Sequence, residues 1–210
     1  MVERKLNIGA GMDLLEGFDN LDYHDEAWKK YVADDANYGK TIKFIKHKLP
    51  AKMPMADNTY DYVYCSHLLE DFNNEDFFKI MADIHRVTKK GGIVEIRVPM
   101  FGYPGAVMCV QHQRFFHKAS FNWFAKDQGS TENYSECDAL FDKMISTKIV
   151  TRESWLSHYA SWLYVKLFSK RADVARPSFR AKRGFEWQMY KLLNHVGFAY
   201  DKELNIKLQK

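Results

Sequence analysis

Lys5-Leu-Asn-Ile-Gly-Ala-Gly11 sets two glycines one residue apart directly after a short apolar alternation, and an acid follows at Asp22. Leu6 and Ile8 supply the inward positions of a strand. Gly9 and Gly11 carry no Cβ, so the backbone there can turn sharply and approach a ligand closely. A second apolar stretch, Phe18 to Tyr23, ends in a carboxylate, and an acid at the tip of a second strand suits a ribose diol, whose two hydroxyls both donate to it. The chemistry predicted is the binding of a nucleoside-containing cofactor. Two glycines around one residue also describe an ordinary tight turn. The third glycine of the dinucleotide fingerprint is missing, which argues against a hydride-transferring dehydrogenase.

A sheet and its helices must hold these residues. At 210 residues, 46% of them hydrophobic, the chain is long enough for one sizeable core and needs no second domain. The net charge of +4 is mild, with Lys and Arg scattered among Asp and Glu, which favours a solvated surface over a dedicated nucleic-acid groove. Cys65, Cys109 and Cys137 are odd in number and lack C-x-x-C spacing, as expected of free thiols in a reducing cytosol. No uncharged apolar run reaches membrane-spanning length, and the N-terminus leads straight into the first strand without an apolar leader, so a soluble cytoplasmic protein is expected.

Only Met12 to Gly17 separates the glycine turn from the second strand, too few residues for a crossover helix, so a single turn or an irregular loop must make that link. Residues 24–40 are expected to hold a short helix, Thr41–Ile45 a third strand and Tyr62–Cys65 a fourth. Asn74 is the expected cap of a helix from Glu75 to about Thr88, where Phe77, Phe78, Met81, Ile84, His85 and Val87 recur at helical spacing. Lys89-Lys-Gly-Gly92 is read as its basic, glycine-capped end, before a strand over Ile93–Val98. Strand, helix and strand in that order argue for a parallel sheet covered on both faces. Beyond it the pattern predicts a long loop over Met100–Gln113, a short helix over 120–126, a polar loop over Gln128–Glu136 and a strand over Met144–Val150. An aromatic-heavy helix over Arg152–Ser169, a basic linker over Lys170–Lys182, a helix over Gly184–His195 and a last strand over Glu203–Leu208 complete the chain.

Leu6-Asn-Ile-Gly-Ala-Gly11, Gly17-Phe-Asp-Asn-Leu-Asp22, Met53-Pro-Met-Ala-Asp-Asn-Thr-Tyr-Asp61, Ser66-His-Leu-Leu-Glu70 and Ile84-His-Arg-Val-Thr-Lys-Lys-Gly-Gly92 stand in an order and spacing that resemble the class I S-adenosylmethionine-dependent methyltransferases, the small type 11-like group in particular. The resemblance covers residue 5 to about 124. It implies a single α/β domain over 1–210, a doubly wound and mostly parallel seven-stranded Rossmann-like sheet, with the cofactor half at about 1–98 and the acceptor side at about 99–210. It implies S-adenosyl-L-methionine as cofactor. Gly9, Ala10 and Gly11 would face its methionine part and Asp22 its ribose. Lys48 and Leu49 would flank adenine through backbone groups, since no carboxylate stands there. Cys65, Ser66 and His67 would lie beside the sulfonium.

Methyl transfer from a sulfonium needs a base only when the acceptor is a hydroxyl or a protonated amine, and His titrates near working pH. His67 is the first candidate and His112 the second; His67 also reads as a structural residue packing on the cofactor. Gln111-His-Gln-Arg-Phe-Phe116 resembles the H-x-R-x-F segment after the fifth strand in these enzymes, so His112 and Arg114 would reach an acceptor or its anionic group, or else sit in a loop anchored by Phe115 and Phe116. Asp57 and Asp61 read as turn-makers. Metal is not expected, because His112 and His117 lack Cys or carboxylate partners at ligand spacing. The acceptor implied is a small molecule or saccharide. Lys166, Lys170, Arg171, Arg176, Arg180, Lys182 and Arg183 leave RNA as a rival acceptor, and a non-catalytic binding or assembly module is the rival to an enzyme.

Overall fold

The computed structural model describes residues 3–34, 41–129, 140–152 and 201–210. Seven strands form one sheet: β1 Lys5–Ile8, β2 Asp19–Asp22, β3 Lys43–Lys46, β4 Tyr60–Ser66, β5 Thr88–Pro99, β6 Lys143–Arg152 and β7 Asp201–Gln209, in spatial order β3-β2-β1-β4-β5-β7-β6. The first five run parallel, and β7 runs antiparallel to both β5 and β6. The sheet is therefore mixed, with a single reversed strand.

Period-two alternation sorts its faces. Leu6 and Ile8 pair with Val63 and Cys65, and Val94, Ile96 and Val98 pair with Leu208, Ile206 and Leu204; all are at most 1% exposed. Helix α2 (Asn74–Val87) buries Phe77, Ile80, Met81, Ile84 and Val87 in the same cluster. Each such side chain contributes about 1.5–3 kcal/mol. The opposite face is polar. Glu95 accepts there from Tyr62 Oη (2.6 Å), Asn205 Nδ2 (2.8 Å), Lys207 Nζ (2.8 Å) and Arg97 (3.0 Å). Burial would push its carboxyl up, but these donors outweigh burial and hold it at about 2.

Helix α1 (Glu26–Asp34) links β2 to β3, and the link from β1 to β2 is an irregular loop closed by a turn in which Asp13 N donates to Ala10 O (2.8 Å). Two inner polar groups brace that loop: Asn7 Nδ2 donates to Asn20 Oδ1 and to Asp13 O, both at 2.9 Å. Some boundaries move from their sequence-based positions. The third strand, expected over Thr41–Ile45, begins two residues later and ends one residue later. The cap of α2 is Asn73, whose side chain accepts from Asp76 N (2.9 Å), because the cap oxygen must reach the third helical amide. Lys89–Gly92 caps no helix: Thr88 already pairs with Tyr60, and the glycines lie in a bulge of β5, where Tyr62 next pairs with Ile93. Arg152 still belongs to β6, and the 100–113 loop contains a four-residue helix, α3 (Pro104–Val107). The short helix expected over 120–126 is a 3-10 helix, Ser120–Phe124, followed by a second, Lys126–Gln128. The expected helices over 152–169 and 184–195, the basic linker and most of the 128–136 loop fall on or within 130–139 and 153–200, outside the described residues. Among the described residues, no helix is long and apolar enough to cross a membrane.

Candidate functional site

The site is built at the carboxyl edge of β1, β2 and β4. Past Ile8 the chain bends through Gly9 (φ +68°) and Gly11 (φ +49°), conformations that cost an L side chain strain. Gly9 N and Ala10 N both donate to Leu21 O (2.9 and 3.1 Å), which ties the bend to β2. A Cβ on Gly9 would stand 2.8–3.0 Å from Leu68 side-chain atoms, whereas one on Gly11 would meet nothing within 4 Å. The bend is thus sealed by Leu68 on one side and open at Gly11.

Asp22 turns back onto this bend. Its Oδ2 accepts from Gly11 N (2.9 Å) and its Oδ1 from His24 N (2.7 Å). Each carboxylate oxygen keeps a further acceptor direction for a ligand hydroxyl. Beyond Asp22, the Tyr23 ring is half exposed and the Lys48 ammonium lies 5.2 Å from its centroid. Leu49 packs on the core. The strand order brings Lys48 and Leu49 to the same edge, because β3 pairs with β2 and His47 N donates to Asp22 O (2.9 Å).

From β4 the edge receives the turn Ser66–Asp71. Cys65 itself points into the core, 1% exposed, and burial pushes its thiol pKa up, so only its backbone borders the edge. His67 has a left-handed backbone (φ +51°) and donates its amide to Arg97 O (3.0 Å). Its Nε2 is 2.6 Å from Glu203 Oε1 and its Nδ1 3.4 Å from Glu70 Oε1. Hydrogen bonds to Glu203 and then Glu70 outweigh burial and raise the imidazole to about 9. At neutral pH it is an imidazolium. Glu70 is 1% exposed, and its Oε2 has no hydrogen-bond partner among the described residues.

The segment after β5 folds over this turn. Gln113 N and Arg114 N donate to Glu70 O (2.7 and 3.1 Å), and Gln113 Nε2 donates to Asp71 O (2.8 Å). His112 Nδ1 is 2.9 Å from Ala106 O and its Nε2 3.9 Å from Asp71 Oδ1. Burial raises the Asp71 carboxyl. Arg114 is committed elsewhere: its guanidinium lies 4.0 Å over the Phe77 ring and donates to Asn74 Oδ1 (2.6 Å), and burial lowers its pKa. Phe116 is a core residue stacked on Phe121, whereas Phe115 and Phe101 are exposed and meet at 5.8 Å. Asp61 binds Lys89 Nζ and Arg4 N, and Asp57 pairs with Arg86, as turn-stabilising acids do. Among the described residues, no three His, Cys, Asp or Glu side chains converge as a metal would require.

The structure thus gathers Gly9, Ala10, Gly11, Asp22, Lys48, Ser66 and His67 along one edge, with His112 beside the same turn. It adds Tyr23, Leu68, Glu70 and Glu203, to which spacing assigned no role. An exposed aromatic directly after Asp22 was a readable signal for Tyr23; Glu203 had none. The rival basic cluster between Lys166 and Arg183 lies outside the described residues.

A family model described as a methyltransferase domain matches residues 14–96. No curated relative matches the sequence. Among solved structures, the chain is similar to an S-adenosylmethionine-dependent methyltransferase of Archaeoglobus fulgidus, with 15% identity and a TM-score of 0.55 over 99% of this chain and 86% of that one. It is similar to phosphoethanolamine N-methyltransferase 2 of Haemonchus contortus, solved with S-adenosyl-L-methionine, with 15% identity and a TM-score of 0.56; it covers 99% of this chain but only 48% of that one. It is likewise similar to the 4+2 cyclase SpnF, with 12% identity and a TM-score of 0.56 over 99% of this chain and 75% of that one. At such identities these likenesses establish the fold.

Proposed function

We propose that this chain, whose residues 14–96 match a methyltransferase domain and whose fold is that of known methyltransferases, transfers a methyl group from S-adenosylmethionine to a small-molecule acceptor, saccharides included. The observation that carries the reading is Asp22, pinned by the Gly11 and His24 amides against the glycine bend with acceptor directions to spare. The donor set fits an adenosyl cofactor: the bend gives close backbone approach, Asp22 takes the ribose hydroxyls, and Tyr23, Lys48 and Leu49 border adenine. Ser66 and His67 border the sulfonium side.

Bound S-adenosylmethionine supplies an electrophilic methyl, so the protein's task is mainly to align the acceptor, which is worth up to about 7–11 kcal/mol. The acceptor side is framed by Ser66–Asp71 and the 111–116 segment. Where the acceptor must lose a proton, His112 is the better-placed base. Its Nδ1–H donates to Ala106 O, which fixes the tautomer that leaves Nε2 as an acceptor. Arg114 shapes this wall through Phe77 and Asn74. Among the described residues Cys65 and Cys109 are free thiols, which fits a reducing cytoplasmic setting.

Titration calorimetry with S-adenosylhomocysteine tests the reading. The protein is expected to bind it, and Asp22→Ala to weaken binding at least about tenfold, the worth of roughly one hydrogen bond to a charged group. No binding by the wild type would overturn the proposal and leave a non-catalytic module of this fold. RNA binding that falls steeply with salt would move the acceptor to nucleic acid.

A further inference from the structure

A reversed strand begins where its parallel neighbours end. Among the described residues β7 is the one strand of that kind, so its first residues arrive at the carboxyl edge of β4 and β5, where the cofactor reading places the site. Glu203 is the third residue of β7, paired in register with Pro99 at the end of β5 and with Val150 of β6. Its side chain, 5% exposed, crosses to His67 Nε2 at 2.6 Å, joining residues 136 apart in sequence. Glu70 stands on the other ring nitrogen, and the residue directly after His67, Leu68, is the one that packs on Gly9.

The left-handed backbone of His67 is a conformation a non-glycine residue holds only when its surroundings impose it. Three contacts do so: the amide bond to Arg97 O and the carboxylates on Nε2 and Nδ1. With both ring nitrogens engaged, no lone pair is left for proton abstraction. The titratable and charged groups around the ring are Glu70 and Asp71 from the turn, Glu203 from β7, Arg97 of β5 acting on Glu203, and His112 facing Asp71.

We propose that Glu203 is a positioning residue for the cofactor site: it locks His67 into the left-handed turn that presses Leu68 onto Gly9, so that His67 works as a fixed, doubly hydrogen-bonded strut and not as the general base. This rests on the cofactor reading above. Glu203 thereby makes the cofactor edge depend on the docking of the last strand.

The test uses Glu203→Gln, which keeps an acceptor oxygen, and Glu203→Ala, which removes it. His67 is followed by NMR titration and S-adenosylhomocysteine affinity by calorimetry from pH 6 to 9. In the wild type, His67 is expected to titrate near 9 and affinity to stay flat up to about pH 8. In Glu203→Gln, the titration is expected to fall by at least about one unit, and affinity to match the wild type near pH 6 but weaken about three- to tenfold above the new midpoint. Glu203→Ala is expected to be weak at every pH. Should both variants fail to fold, Glu203→Asp, which keeps the carboxylate but shortens its reach, is expected to lower the His67 titration and to weaken affinity above the new midpoint; an unchanged titration and affinity in that variant overturns the proposal. The proposal is overturned if wild-type His67 titrates near 6.5, or if Glu203→Gln binds like the wild type throughout. A wild type that binds no S-adenosylhomocysteine overturns the cofactor reading and the proposal with it; a binding wild type with indifferent Glu203 variants overturns the proposal alone.

Discussion

In a Gly9→Ala variant the new methyl group meets Leu68 before it meets solvent: Cδ1, Cδ2 and Cγ lie 2.8, 2.9 and 3.0 Å from where it would stand. Two costs follow. The backbone at φ +68° charges an L residue about 1–2 kcal/mol, and overfilling a packed contact adds about 1–3 kcal/mol, reduced because the clashing atoms are the movable end of a leucine. A total of about 2–4 kcal/mol corresponds to a fall in thermal midpoint on the order of 5–15 °C for a chain of this size. Gly11→Ala is the internal control, since at φ +49° with open space around it only the backbone cost applies. Leu68→Ala in the Gly9→Ala background removes the obstruction, and a double-mutant cycle is expected to return a coupling near 1 kcal/mol. Urea unfolding supplies the stabilities, and calorimetry with S-adenosylhomocysteine shows whether the bend still binds. If Gly9→Ala is no worse than Gly11→Ala, or the cycle is additive within about 0.5 kcal/mol, the sealed-bend account is wrong.

Further outcomes follow from the same contacts. His67, raised from 6.5 to about 9, stabilises the fold fully below pH 6.5 and loses that contribution as pH climbs through 9. The shift is worth at most about 3 kcal/mol, and a ring one-third exposed leaves on the order of 1–2 kcal/mol, so denaturation midpoints measured at pH 6 and pH 10 should differ accordingly and the difference vanish in His67→Gln. Glu95 has the opposite sign: held at about 2 against 4.5, it stabilises above pH 4.5 and fails as pH falls through 2, so an acid-unfolding series should steepen there. Glu95→Leu strips the acceptor from Tyr62, Asn205, Lys207 and Arg97 at once and is expected to cost about 2–4 kcal/mol in urea unfolding. His112→Ala is expected to leave S-adenosylhomocysteine affinity within about twofold, since its contacts run to Ala106 and Asp71 and not to the cofactor edge; a large loss would place it in the cofactor site.

Much of the frame was legible in local pattern. Strand alternation is a property of neighbouring residues, and it predicted all seven strands, including the last one across Leu204, Ile206 and Leu208. The glycine pair and the acid eleven residues after Gly11 were also readable, because the intervening link is too short to carry them apart, and Asp22 does reach Gly11 N. Cap positions were read less well, since Asn73 and Asn74 both have capping chemistry and only the reach to Asp76 N decides between them.

The sequence by itself determined where apolar faces form and where the backbone must bend, because both are set by residue type and spacing within one segment. The tertiary structure decided the charge state and orientation of His67. Its partners come from residue 70 and residue 203, and only strand order and antiparallel register put a carboxylate from the final strand on a ring near the middle of the chain. No local period encodes that meeting, and without it His67 reads equally as a base and as a residue packing on the cofactor.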